Sequence, residues 1–385
     1  MIDVIIKTRT VIGKGELQNI PGFLSDNGYK KYGFIIDQAF RSNEDVGRLI
    51  TELREKGLHA VTYYYDLPFE PDYESLDNIK YLFKDRNTNW SLVDVIVAVG
   101  GGSVIDFAKG IATLINNHDA ATTYKGFPKN LNPSIPIVAV PTTAGTASEV
   151  TFNAVFTDSK LGRKLGINTH NNFPVLAILD SNMTRNCPYA IALSSGLDAL
   201  VHGFESFACK KSNYYTRLFA KQGIINLINN IEHALKDVEN DQAREKMQFG
   251  AYLAGISLYN AGSGPAGALS YPLGVVCKVP HGIAGGFILP YLLEFNVKNG
   301  YYGYFEIADE LAIQGENERE KCEKLVAYLF DLYDRLDVWA LAKKYDIKTN
   351  NSALSEYIDL LQGAFDQNPV NFTPSDGKTI LNKIF

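Results

Sequence analysis

The segment DVIVAVGGGSVIDFAKGIATL (94–114) constrains the chain more than any other. A buried-strand pattern runs without a break into Gly100, Gly101, Gly102 and Ser103, and then into a helical pattern. Glycines let the backbone turn sharply and approach a ligand closely. The helix that follows offers unpaired N–H groups and the positive end of its dipole. In physical terms this is a diphosphate site. It is neither GxGxxG nor a Walker loop, because no Gly-Lys-Ser/Thr follows. Asp106 and Lys109 fall in the first turns of the helix, where an acid also complements the dipole.

The first half of the chain repeats this strand-then-helix rhythm. KYGFIIDQAF (31–40), LHAVTYYY (58–65), DVIVAVG (94–100) and SIPIVAV (134–140) are short, β-branched or aromatic runs. Between them, NEDVGRLITELREKG and YESLDNIKYLFKDR carry apolar residues at helical spacing. Such alternation implies right-handed βαβ units and a parallel sheet. Ligands bind open sheets of this kind at the carboxyl ends of the strands. The small and hydroxylic residues of VPTTAGTASEVT (140–151) would lie there, after the strand SIPIVAV. Asp37, closing the strand GFIID, is placed to accept hydrogen bonds from an adenosine ribose. An acid at that point favours NAD over NADP, whose 2′-phosphate would meet a like charge.

From about residue 188 long helical patterns take over, at 213–238, 243–262 and 318–336. The expected architecture is an α/β domain over 1–187 and an all-helical domain over 188–385, with the site in a cleft between them. The 385 residues carry 37 basic and 43 acidic side chains, net charge −6, and no basic block that a nucleic acid would require. Four scattered cysteines form no CxxC, which suits a reduced compartment. MIDVIIKTRT lacks the pattern of a signal peptide, and no run of about 18 apolar residues occurs. A cytoplasmic protein with no membrane partner is expected.

SSGLDALVHGFESF (194–207) reads as a helix with Ser194 and Ser195 as candidate N-caps. Asp198 and His202 are four apart, so both lie on one face and can chelate one divalent cation. His281, read in a loop of the same half, offers a third donor. His59, His118, His170 and His233 sit in no comparable context and read as structural or solvent-facing.

GGGSVIDFAK, PTTAGTASEVT, GLDALVHGFES and YPLGVVCKVPHG occur in the order and approximate spacing of the iron-containing (group III) alcohol dehydrogenases, and the C-terminal DQNPVNFTPSDGKTILNKIF is similar to that family's ending. The family sits in a superfamily with glycerol dehydrogenase and dehydroquinate synthase. The resemblance implies a dehydroquinate synthase-like fold: a dinucleotide-binding α/β domain with a parallel sheet, then an all-α metal-binding domain, in a homodimer. It implies that the glycine loop, Gly101, Gly102 and Ser103, holds the pyrophosphate of the cofactor, which Asp37 and Asp106 join as candidates from their positions. Thr142, Thr143, Thr151 and Lys164 would line it. Asp198, His202 and His281 match three of the family's four metal ligands, for Fe(II) or Zn(II).

The sequence departs from the family where the fourth ligand belongs. The histidine expected 14 residues before His281 is Gly267, and one often found ten residues before it is Tyr271. One Asp and two His remain a chemically sufficient set for an open catalytic site. Tyr271 inherits a hydrogen-bonding or proton-transfer position, so Asp198, His202, His281 and Tyr271 form the candidate catalytic group. The implied reaction is NAD(P)-linked oxidation of an alcohol or reduction of the matching aldehyde, with the metal as Lewis acid and the nicotinamide as hydride carrier. YKGFP (124–128) and KLGIN (164–168) resemble members that oxidise a terminal hydroxyl of a sugar acid, which favours a hydroxylated, sugar-like substrate. The alternatives are a metal-independent NAD(P)H reductase of the same superfamily, as the maleylacetate reductases are, and a lapsed paralogue that only binds nucleotide.

Overall fold

The computed structural model describes residues 2–56, 59–67, 71–129, 131–158, 163–345 and 347–385. Met1, Gly57 and Leu58, which enter segments read above, lie outside them. The chain divides into two compact units, Ile6–Cys187 and Pro188–Phe385 with Met1–Ile5.

The first unit contains the strands β1 (Arg9–Ile12), β2 (Lys31–Asp37), β3 (His59–Tyr65), β4 (Val95–Gly100), β5 (Ile137–Pro141), β6 (Val155–Asp158), β7 (Arg163–Gly166) and β8 (Leu176–Leu179). Its helices are α1 (Ile20–Asp26), α2 (Glu44–Glu55), α3 (Tyr73–Phe83) and α4 (Gly102–Asn116). Six strands form one parallel sheet in the order β1-β8-β5-β4-β2-β3, while β6 and β7 make a separate antiparallel pair. Alternate residues of β4 explain the two-sided cover. Val95, Val97 and Val99 pack with Ile20, Leu24, Leu49 and Leu53 of α1 and α2, whereas Ile96 and Ala98 pack with Leu76, Phe83, Phe107 and Ile111 of α3 and α4. A strand buried on both faces must be apolar throughout, and β4 is.

Strand ends follow from local chemistry. β2 stops at Asp37, three residues short of the run 31–40, because the Asp37 carboxylate accepts the Ala39 N–H (2.9 Å) and caps a single 3₁₀ turn. β5 begins at Ile137 rather than 134, because Pro136 has no N–H to give a ladder.

The second unit is helical: no strand occurs among its described residues. It opens with α5 (Tyr189–Ala208), α6 (Tyr214–Lys236), α7 (Asp241–Ala261), α8 (Pro265–Cys277) and α9 (His281–Lys298), and shorter helices accompany Glu318–Arg335 further on. α5 is a core helix, buried on every side from Gly196 to Ala208. It starts earlier than expected. Pro188 stands at its N-cap, and Ser194 and Ser195 lie inside it; the Ser195 hydroxyl bonds back to the Ile191 carbonyl (2.9 Å) instead of capping. The glycine- and proline-punctuated stretch 263–282 also holds more helix than its composition suggests. Pro265 takes the first position of α8, where its missing N–H costs nothing. Lys278 ends α8 in the left-handed conformation (φ 58°), and His281, read as a loop residue, opens α9 behind Pro280. No helix among the described residues is long and apolar enough to cross a membrane.

α6 and α7 pack against α5, and they meet backbone to backbone. A Cβ at Gly223 would stand 2.9 Å from both the Gly250 carbonyl and the Ala254 nitrogen, and one at Gly250 would stand 3.0 Å from the Gly223 carbonyl. Gly223→Ala raises helix propensity, yet is expected to cost about 1–3 kcal/mol of stability through overpacking. A urea titration of wild type and variant measures it; a gain would show that the helices separate freely.

Candidate active site

The chain of the first unit runs from β2 outward to β3, then returns to place β4 on the other side of β2. That reversal is a topological switch point, where open α/β sheets bind ligands. Asp37 and Gly100 end the two strands level with each other, since Ile36 pairs with Val99. The Asp37 carboxylate and the glycine turn therefore flank one crevice edge.

The turn leaves no room for side chains. A Cβ at Gly100 would meet Val104 at 2.6 Å, and one at Gly102 would meet Thr146 Oγ1 at 2.5 Å. Gly101 faces Thr143, and the Thr142 N–H bonds the Gly100 carbonyl (3.0 Å). So Gly101, Gly102, Thr142 and Thr143 are brought together, with Ser103 exposed at the start of α4. The N–H groups of Gly102 and Ser103 have no carbonyl one turn earlier in the helix, which is the arrangement a diphosphate needs.

Asp106 does something its position in the first turns does not suggest. Its carboxylate accepts the Ser148 hydroxyl and the Val155 N–H (2.9 Å), and lies 3.4 Å from Lys109 Nζ. Lys109 is fully buried and donates to Ser148 Oγ and to the Asn153 carbonyl (both 2.7 Å). This pair staples the loop 142–155 to α4. Desolvation pushes the Asp106 carboxyl up and the Lys109 ammonium down, against their mutual attraction. Thr151 is buried between the staple's two ends, and Lys164 stands on β7 opposite Thr157 of the hairpin that Val155 begins. The segments 124–128 and 164–168 also meet: the Gly126 N–H bonds the Gly166 carbonyl (2.7 Å), and the Asn168 N–H bonds the Gly126 carbonyl (2.9 Å).

In the second unit α5 and α9 bring the candidate metal ligands together. Asp198 Oδ1 lies 3.6 Å from His202 Nε2 and 3.9 Å from His281 Nε2. Donors bound to a four-coordinate ion at ordinary lengths stand about 3.4 Å apart, so the trio is wider by up to about half an ångström. Among the described residues no group of three His, Cys, Asp or Glu side chains is closed tightly enough to hold a metal as it stands. The donor chemistry nevertheless suits one. Ser270 Oγ donates to the Gly267 carbonyl (2.5 Å), so it accepts from His281 Nδ1 (2.7 Å), the nearer ring nitrogen. This leaves Nε2 of a neutral His281 carrying its lone pair toward the Asp198 carboxylate. Two acceptors so placed are reconciled by a metal ion or by a proton on Nε2. His202 Nδ1 is buried without a hydrogen-bond partner. The Tyr271 ring lies 5.0 Å from the His281 ring, centroid to centroid.

Where the family's fourth ligand would project, Gly267 faces Glu205. This buried carboxylate accepts the Ser263 hydroxyl (2.7 Å) and the N–H groups of Gly264 (2.8 Å), Ala266 (2.6 Å) and Gly267 (3.2 Å). Sequence reading passed over Glu205, although it lies on the helix stripe of Asp198 and His202 at the next i+3 step. It also passed over Thr146, Ser148 and Ser270, short hydroxyls that carry no pattern of their own.

The sheet with its glycine turn and the helical unit with its Asp/His face define an oxidoreductase of the alcohol dehydrogenase class. Two family models match, iron-containing alcohol dehydrogenase over residues 7–181 and the Fe-containing alcohol dehydrogenase family C-terminal region over 192–385. The chain belongs to the iron-containing alcohol dehydrogenase family. It is 32% identical over 319 residues to the 1,3-propanediol dehydrogenase of Citrobacter freundii, covering 82% of this chain and 80% of that one. It is 30% identical over 317 residues to the NAD-dependent methanol dehydrogenase of Bacillus methanolicus (82% and 81%). The crystal structure of a 1,3-propanediol oxidoreductase matches with a TM-score of 0.90 at 28% identity, over 100% of both chains.

Glu149, next to the staple, gives a pH test. Burial pushes its carboxyl from 4.5 up to about 7. The folded state thus favours the neutral acid, and the stability this confers is complete below pH 4.5 and lost as pH rises through about 7. Glu149→Gln is expected to be more stable than wild type at pH 8, by on the order of 3 kcal/mol, and equal to it near pH 4. Denaturant melts at the two pH values check this; an equal effect at both would place the carboxylate in water.

Proposed function

We propose that this chain is an NAD-dependent, metal-assisted dehydrogenase of a hydroxylated, sugar-like alcohol, or the reductase of the matching aldehyde, acting in the cytoplasm as a homodimer. The observation that carries the metal reading is that both histidine Nε2 atoms face one oxygen of Asp198. Asp198, His202 and His281 would hold Fe(II) or Zn(II). When bound, the metal supplies Lewis acidity toward the substrate oxygen, and NAD supplies the hydride acceptor.

The remaining work falls to this chain's own groups. The N–H groups at the start of α4 hold the pyrophosphate, with Gly101, Gly102 and Ser103 admitting it closely and Thr142 and Thr143 beside it. Thr151 and Lys164 line the cofactor from the stapled loop and hairpin, and Asp106 holds them in place. The Asp37 carboxylate takes the ribose hydroxyls, which supports NAD over NADP. Ser270 keeps the Nδ1 proton on His281, and the Tyr271 phenol stands beside that ring to hydrogen-bond or pass a proton at the substrate hydroxyl. Support for a sugar-like substrate comes from 124–128 and 164–168, the two segments that resemble sugar-acid-oxidising members, which are hydrogen-bonded to each other.

The widened trio and Gly267 favour one second reading, a metal-independent NAD(P)H reductase using the same cofactor edge. Metal content by mass spectrometry, with NAD(H) turnover before and after chelation on a panel of alcohols and aldehydes, decides between them. Close to one Fe or Zn per chain, with activity lost to chelator and restored by metal, is expected. His281→Ala should then lose more activity than the 10–100-fold that removing an outer-shell partner costs, with NADH affinity unchanged. Turnover indifferent to chelator would establish the metal-free reductase.

A further inference from the structure

The buried carboxylate of Glu205 has no part in the reaction read above, and its surroundings are unusual. It lies on α5 one step beyond His202 and is almost wholly shielded from solvent (5% exposed). A carboxylate in that position is tolerated only if its lone pairs are filled by donors. Here the donors are one hydroxyl and three main-chain N–H groups, all from Ser263 to Gly267, where the chain enters α8. The charge also faces the positive end of that 13-residue helix.

The sequence where the chain turns into α8 is shaped around the carboxylate. A Cβ at Gly264 would come within 3.0 Å of Glu205 Oε1, and one at Gly267 within 3.0 Å of Oε2 and against Ser263 Oγ. A side chain at either position would press on the Glu205 carboxylate or on the Ser263 hydroxyl that donates to it. Behind it lies a cavity of about 10 Å³, lined by Asn296, Tyr304 and Asn368 among others, which is the room one water needs.

From this anchor a short path of contacts leads to the candidate metal ligands. Glu205 fixes Gly267 through its N–H. The Gly267 carbonyl takes the Ser270 proton, and Ser270 Oγ then accepts from His281 Nδ1. His281 Nε2 in turn faces Asp198, which lies on the same helix as Glu205. The path leaves α5, crosses α8 and α9, and returns to α5.

We propose that Glu205 is a positioning residue for His281: by anchoring the first turn of α8 it orients Ser270 and so selects the ring nitrogen that His281 turns toward Asp198. The inference rests on the metal-ligand reading of His281 for its consequence, but not for its test. Glu205→Gln preserves shape while replacing one acceptor oxygen with a donor amide that opposes the N–H groups. Ser263→Ala removes one donor and leaves the charge, and Ser270→Ala cuts the path at its far end.

Long-range ¹⁵N–¹H spectra of the histidine rings, recorded on the full chain after chelation, read the tautomer directly. Wild-type His281 is expected as the Nδ1–H form. Glu205→Gln and Ser270→Ala should each convert it to a mixture, and Ser263→Ala should do so more weakly. The Glu205→Gln/Ser270→Ala double variant should shift it no further than either alone, because both act on one path. Zn²⁺ affinity measured by titration of the same samples should fall 10–100-fold in Glu205→Gln, with NADH affinity unchanged. An unaltered Nδ1–H tautomer in folded Glu205→Gln overturns the proposal. If that variant does not fold, an unaltered tautomer in both Ser263→Ala and Ser270→Ala overturns it. A wild-type chain that binds no Zn²⁺ sinks the metal reading instead, and the ring spectra still decide the role of Glu205.

Discussion

A carboxylate removed from water demands donors, and the segments that supply them lose their freedom. Both units of this protein are organised by that demand. In the first, Asp106 collects a hydroxyl, a main-chain N–H and an ammonium, and so holds the loop 142–155 and the β6–β7 hairpin against α4. In the second, Glu205 collects four donors and holds the entry to α8 against α5. Removing Lys109 leaves the Asp106 charge buried without its partner, a loss of about 3–5 kcal/mol, whereas removing one of the four donors to Glu205 costs about 1–3 kcal/mol. The surrounding small residues, Gly102 beside Thr146 and Gly264 and Gly267 beside Glu205, are the steric counterpart of those electrostatic anchors.

The division of labour between the units follows from their secondary structure. A parallel sheet ends all its strands on one edge, so Asp37, Gly100 and Thr142 converge there without special arrangement. A buried helix offers a single stripe, so Asp198, His202 and Glu205 share it at intervals of four and three. The two kinds of periodicity place the candidate nucleotide edge in one unit and the candidate cation face in the other.

Much of this is legible in the sequence itself. Strand and helix alternation in the first half, long helices in the second, and the strand–glycine–helix turn all come from strong periodic signals, because two-sided burial of β4 and the amphipathic stripes leave little choice. The shared face of Asp198 and His202 follows from their spacing. What escaped reading depends on partners distant in sequence. Ser194 and Ser195 look like caps, yet the helix begins five residues earlier because Pro188 already ends the preceding segment. The stretch 263–282 is punctuated by glycine and proline, but the dipole end of α8 is met by Glu205, about sixty residues away in sequence. The double service of Asp106 depends on Ser148 and Val155, which no local pattern links to it.

The contact between α6 and α7 at Gly223 and Gly250 has a dynamic consequence. Packed helices shear by letting side chains step from one notch to the next, with small sliding displacements. Two helices whose main chains touch have no such notches at the crossing. α6 and α7 are thereby restricted to moving as one piece, and rearrangement within the helical unit is left to its other contacts and joints. Residues with positive φ mark several helix ends in this unit, Gly262, Lys278, Gly300, Ala312 and Asp337, and the first two stand after α7 and after α8. These two bracket the very helix that carries Ser270 and Tyr271.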